Sequence, residues 1–95
     1  MSNETLADLR AALDTIDQEL VERIGCRLEL CRRVAEHKKR YGIPMMQPDR
    51  VHAVKVRVAA LAEYHDVRPE FMIDLYERII EEACRLEDKL IGGNA

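Results

Sequence analysis

Residues 9–40 read LRAALDTIDQELVERIGCRLELCRRVAEHKKR. Along them Leu9, Leu13, Ile16, Leu20, Ile24, Cys31 and Val34 recur mostly at steps of three and four, the period of an α-helix. Asn3 is placed to cap that helix, with Glu4 in its first turn. Gly42 and Pro44 stop it soon after Arg40. A helix of roughly 35 residues is about 50 Å long. A compact chain of this size has a radius of gyration of only about 12 Å. The apolar stripe runs nearly end to end, so the part protruding from a monomer would be wet. The sequence therefore predicts an obligate, intertwined, all-α dimer whose two long helices cover each other's stripes.

The rest of the chain supplies two shorter helices. Pro48 and Asp49 suit the first turn of a second one, with Val51, Val54, Val58 and Leu61 as its stripe. Its VKVRV run also alternates like a strand, though nothing nearby offers a partner strand. HDVRPE breaks this helix and Pro69 opens a third. There Met72, Leu75, Ile79, Ala83, Leu86 and Leu90 face inward, and Gly92 and Gly93 end it. The 95 residues amount to one domain, a three-helix protomer with a long first helix.

Composition narrows the function. Lys and Arg number 15 against 18 Asp and Glu, a net charge of −3. That is the wrong balance for a general nucleic-acid binder, which needs a basic surface. The start, MSNETLADLR, has neither the basic nor the apolar region of a signal peptide, and no apolar run approaches membrane-span length. A cytoplasmic chain is expected, with no membrane partner. Cys26, Cys31 and Cys84 match neither a zinc nor a Cys-x-x-Cys pattern and read as reduced, packing thiols. His37, His52 and His65 are scattered surface residues, and no metal site is expected.

Several charges fall where a core should be. Positions 20, 24, 27, 31, 34 and 38 continue one three/four series, so Arg27 and Lys38 lie on the apolar stripe. Either could snorkel outward, but two on one stripe point to a bound anion, since a buried cation needs one. Arg10 lies about 25 Å along the helix from Arg27. It cannot share one small ligand with Arg27 within a single chain, but in an antiparallel dimer it can complete the partner's site. Arg50, opening the second helix, can aim at the same cavity. Taken alone, Arg10 and Arg50 also read as solvated surface charges. Glu87 shares a series with Tyr76, Ile80, Ala83 and Leu90 and flanks the inward face of the third helix, although it also reads as an exposed acid.

LRAALDTIDQELVERIGCRLELCRRVAEHK, then DRV, then IIEEACRLED resembles the all-helical chorismate mutase family over nearly the whole chain. The resemblance implies three-helix protomers in an intertwined dimer with two active sites. It implies that Arg10 enters the partner's site, and that Arg27, Lys38 and Arg50 are cations of the home site. It further implies a Claisen rearrangement of chorismate to prephenate without a cofactor. The substrate it implies is a small dicarboxylate. Arginines would hold its carboxylates in the reactive conformer. Lys38 and a donor at position 87 would stabilise charge growing on the ether oxygen. Glu87 matches a position that is glutamine or glutamate in the family, and it donates only when it carries a proton.

The sequence departs from the typical family pattern in three places. Gln47 stands where an aspartate is usual, Val51 where a glutamate accepts from the ring hydroxyl, and Ala83 where a small polar residue is common. IPMMQP with CRLED looks more like a subgroup that rearranges 4-amino-4-deoxychorismate in antibiotic biosynthesis, beside the chorismate mutases of aromatic amino acid biosynthesis. Gln47 would offer the ring amine a carbonyl oxygen. Ordinary chorismate mutase, isochorismate pyruvate lyase and a non-catalytic helical dimer that binds such a ligand remain alternatives. The loop over residues 42–50 is expected to roof the cavity. Met45 and Met46 there cover either the ligand's ring or the dimer core.

Overall fold

Thr5, not Asn3, caps the first helix. The Asp8 amide donates to Thr5 Oγ1 at 3.1 Å, and the Thr5 amide donates to Asp8 Oδ2 at 3.1 Å. This reciprocal capping box needs an acceptor three residues after the cap; Asp8 supplies it to Thr5. Asn3 therefore lies outside the helix, and Asp8 replaces Glu4 as the first-turn acid. The computed structural model describes residues 3–44 and 47–91, without the side chain of Ile91. Its elements are α1 (Leu6–Tyr41), α2 (Pro48–Tyr64) and α3 (Pro69–Ile91). The described residues contain no strand, and the VKVRV run is helical. Met45, Met46, Gly92 and Gly93 fall outside the described residues.

The helix ends follow from local chemistry. At the close of α1, Gly42 adopts φ 65° and the Ile43 amide donates to the Lys38 carbonyl at 2.9 Å. That six-to-one bond with a left-handed residue inside it is a Schellman motif. After α2 the same motif recurs: Val67 donates to the Ala62 carbonyl at 2.8 Å and Asp66 to Glu63 at 3.1 Å, with Asp66 at φ 58°. An L side chain in this region costs about 1–2 kcal/mol. Gly42→Ala should therefore lower stability by about 1 kcal/mol, or about 4–8 °C in melting temperature, measured by circular dichroism. An unchanged melting curve would contradict this account of the α1 terminus.

The chain divides at Leu30 into two packing units. In the first, the stripe of α1 is bare: Leu9, Leu13, Ile16, Leu20 and Ile24 are all exposed, Leu13 at 58% and Leu20 at 55%. In the second, α2 and α3 pack as an antiparallel pair, and Lys55 Nζ meets Glu77 Oε1 across it at 3.0 Å. The core of this unit is Ala35, Val54, Val58, Ala62, Ala83 and Leu86. Ala62 takes the place expected of Leu61, which is exposed. Leu75, Leu90 and Val34, expected inward, are also exposed. No helix of the described residues is long and apolar enough to cross a membrane.

Candidate active site

Lys38 and Glu87 meet between α1 and α3. Lys38 Nζ lies 3.9 Å from Glu87 Oε1, and each side chain is only 15% exposed. Two features place the pair. The carbonyl of Lys38 is the one seized by Ile43, so the turn that carries this lysine is locked at the helix end. On α3, Glu87 follows the buried Leu86 and Ala83, so its side chain sits at the edge of the packed face. A separation of 3.9 Å is loose for an ion pair, beyond the usual range of a charge-assisted hydrogen bond.

Cys84 stands one turn before Glu87 on α3. Burial pushes its thiol above the ordinary range; the Glu87 and Asp88 carboxylates push further, and Lys38 opposes them. It is thus held as the neutral thiol beside a charged pair. The sequence reading placed Cys84 among plain packing thiols. Its spacing from Glu87 was the available signal, and the proximity of Lys38 was not visible without the fold.

The residues expected to read the ring substituent gather at the start of α2. Gln47 occupies the N-cap position but makes no side-chain cap bond. Its backbone carbonyl accepts from Arg50 at 3.0 Å and Val51 at 3.2 Å, so the helix start is closed through the main chain. The carboxamide is not consumed by capping. Arg50 is exposed and Val51 is half-buried. Ala83 is buried and offers no polar atom of its own side chain. Arg10 and Arg27 belong to the first unit, where Arg10 is exposed and Arg27 half-buried.

Three helices, a long α1 and a charged pair between α1 and α3 point to a type of protein, and comparison with known sequences agrees. The chorismate mutase type II family matches residues 9–88, and this chain belongs to it. Among curated relatives, a 4-amino-4-deoxychorismate mutase of Streptomyces venezuelae is 46% identical over 87 residues, covering 92% of this chain and 84% of the relative. A second, from Streptomyces pristinaespiralis, is 41% identical over 91 residues, covering 96% of this chain and 70% of the relative. A chorismate mutase of Methanocaldococcus jannaschii is 31% identical over 88 residues, covering 93% and 89%. No solved structure matches the chain.

Proposed function

We propose that this protein is a cytoplasmic, homodimeric pericyclase acting through residues 1–95 as one functional domain. It rearranges 4-amino-4-deoxychorismate to 4-amino-4-deoxyprephenate, with chorismate to prephenate as the same reaction on the hydroxyl analogue. The observation that carries the reaction class is the mostly buried Lys38–Glu87 pair on a chain of this family. The preference for the amine rests on higher identity to the two amino-substrate relatives than to the archaeal chorismate mutase. Incubation with 4-amino-4-deoxychorismate, chorismate and isochorismate tests both. Fastest consumption of the amino substrate is expected. Salicylate plus pyruvate from isochorismate would instead mark a lyase, and no turnover of any substrate would reduce the protein to a binding module.

The reaction is an isomerisation: an ether carbon–oxygen bond breaks as a carbon–carbon bond forms, and no atom leaves. Catalysis then reduces to holding a conformer and stabilising charge. Arg27 and Arg50, with Arg10 from the second copy, clamp the two carboxylates. Lys38 turns from Glu87 to the ether oxygen, where negative charge grows. Glu87, beside Lys38, reaches the same oxygen, to which a carboxyl donates only when it carries a proton. A rate that depends on that donation falls as pH rises. Glu87→Gln, which donates without a proton, should flatten the profile. An identical profile in wild type and variant would remove Glu87 from the step.

Gln47 and Val51 select the ring substituent. The unused carboxamide of Gln47 accepts from the amine. Val51 adds no second charge. Gln47→Asp combined with Val51→Glu restores the acidic pattern that suits a ring hydroxyl in the wider family. The double variant should shift the ratio of catalytic efficiencies toward chorismate by about tenfold or more, since one well-placed polar contact discriminates on that scale. Parallel assays on the two substrates read it, and an unchanged ratio would move the selection elsewhere.

A further inference from the structure

Lys38 has a neighbour that also reaches α3. Lys39 Nζ donates to the main-chain carbonyl of Leu90 at 3.5 Å. Leu90 lies in the last turn of α3, where carbonyls have no partner within the helix and the macrodipole presents its negative end. An ammonium is suited to that position. Two consecutive lysines of α1 thus grip two successive turns of α3, one at the Glu87 carboxylate and one at the Leu90 carbonyl. The grip matters because α2 and α3 approach within 8 Å between Cα atoms, whereas residues 31–41 of α1 come that close to neither. Side chains span the seam between α1 and α3.

The two contacts differ in what substrate does to them. The Lys38–Glu87 contact is loose, and it involves the charges that an anionic substrate competes for. The Lys39–Leu90 contact uses a backbone carbonyl, for which the substrate's carboxylates, being acceptors, do not compete. We propose that Lys39 is a positioning residue: it holds the last turns of α3 against α1 while Lys38 leaves Glu87 for the substrate, and so keeps Glu87 in register during turnover. This rests on the functional reading above. It assigns Lys39 no contact with substrate. Arg40, the next cation, serves as a control of equal charge, because its guanidinium lies 5.6 Å over the Tyr41 ring within α1.

Two readouts test it on the full-length protein. With Lys39→Met, kcat should fall about tenfold, the scale of a small misplacement of a reacting group. KM should stay within about twofold, because the carboxylate clamps are untouched. Lys39→Arg should restore kcat and Arg40→Met should leave it unchanged. Independently of turnover, alkylation of Cys84 by iodoacetamide, followed by mass spectrometry, reports on the seam. Its rate should rise severalfold in Lys39→Met and stay near wild type in Lys39→Arg. An unchanged kcat in Lys39→Met would overturn the proposal, as would equal losses in Lys39→Met and Lys39→Arg. If wild type turned over none of the substrates, the functional reading would fall. The alkylation rate would still decide the clamp: an equal rate in Lys39→Met and wild type would overturn it too.

Discussion

Lys38→Ala is expected to lower kcat by about a thousandfold, the upper range for loss of one preorganised donor at a developing oxyanion. The charge matters because of where it sits. Its side chain is 15% exposed, so water screens it poorly, and it lies on the turn fixed by the Ile43–Lys38 backbone bond. The ammonium is therefore held beside the site before substrate arrives and has only to turn from Glu87 to the ether oxygen. Removing it also leaves the Glu87 carboxylate without the cation 3.9 Å away. Stranding one partner of a buried pair costs several kcal/mol unless the remaining group is neutralised. Binding of a dicarboxylate should weaken too, so KM rises alongside the fall in kcat. Lys38→Arg should recover little, because a planar, longer guanidinium does not reproduce a compact point charge. Steady-state kinetics on the amino substrate decide this. A loss of less than tenfold in kcat would show that the developing charge is stabilised elsewhere.

Arg10→Ala is expected to cost about a hundredfold or more in catalytic efficiency, although Arg10 is exposed in the single chain and lies about 25 Å along α1 from Arg27. The reason is the bare stripe. Leu9, Leu13, Ile16, Leu20 and Ile24 are all exposed, while the buried core contains nothing larger than Leu86. A stripe of that length in water is unfavourable by about 25 cal/mol for each Å² of apolar surface that a partner helix could cover. In the proposed dimer a second copy packed antiparallel would cover it and carry Arg10 toward the middle of the partner's α1. A carboxylate there loses one arm of its clamp in Arg10→Ala. The loss should appear in KM as well as in kcat. A change within twofold would return Arg10 to the solvated surface.

The helix boundaries were legible where a single residue type decides them. Pro48 and Pro69 each open a helix, and Gly42 supplies the left-handed turn that ends α1. The start of α1 was not, because Asn3 and Thr5 are both good caps and only the reciprocal bond with Asp8 separates them. The packed face of α2 was misjudged at its end, since Leu61 and Ala62 lie three and four residues after Val58. The structure takes the four-residue step, through Val54, Val58 and Ala62. Buried Ala35 was missed for a related reason: periodicity weights bulky side chains, while a methyl group is covered completely by larger neighbours. Lys38 and Glu87 could be read because they are charges on or beside apolar stripes. Lys39 and Cys84 could not, since a lysine in a basic run and a thiol in a helix look ordinary until α1 and α3 are side by side.

A shared site has a consequence that no monomeric enzyme can imitate. In the proposed dimer, Arg10→Ala and Arg27→Ala would each disable both sites of their own homodimer. In a mixed dimer one site receives Arg27 from the first variant and Arg10 from the second, and is whole. The other site lacks both. Equal amounts of the two variants, unfolded and refolded together, should form mixed dimers as about half of the population by random association of identical interfaces. Turnover of 4-amino-4-deoxychorismate should then return to about a quarter of the wild-type rate per chain, far above either variant alone. A mixture no more active than the mean of the two separate variants would contradict the intertwined, two-chain active site.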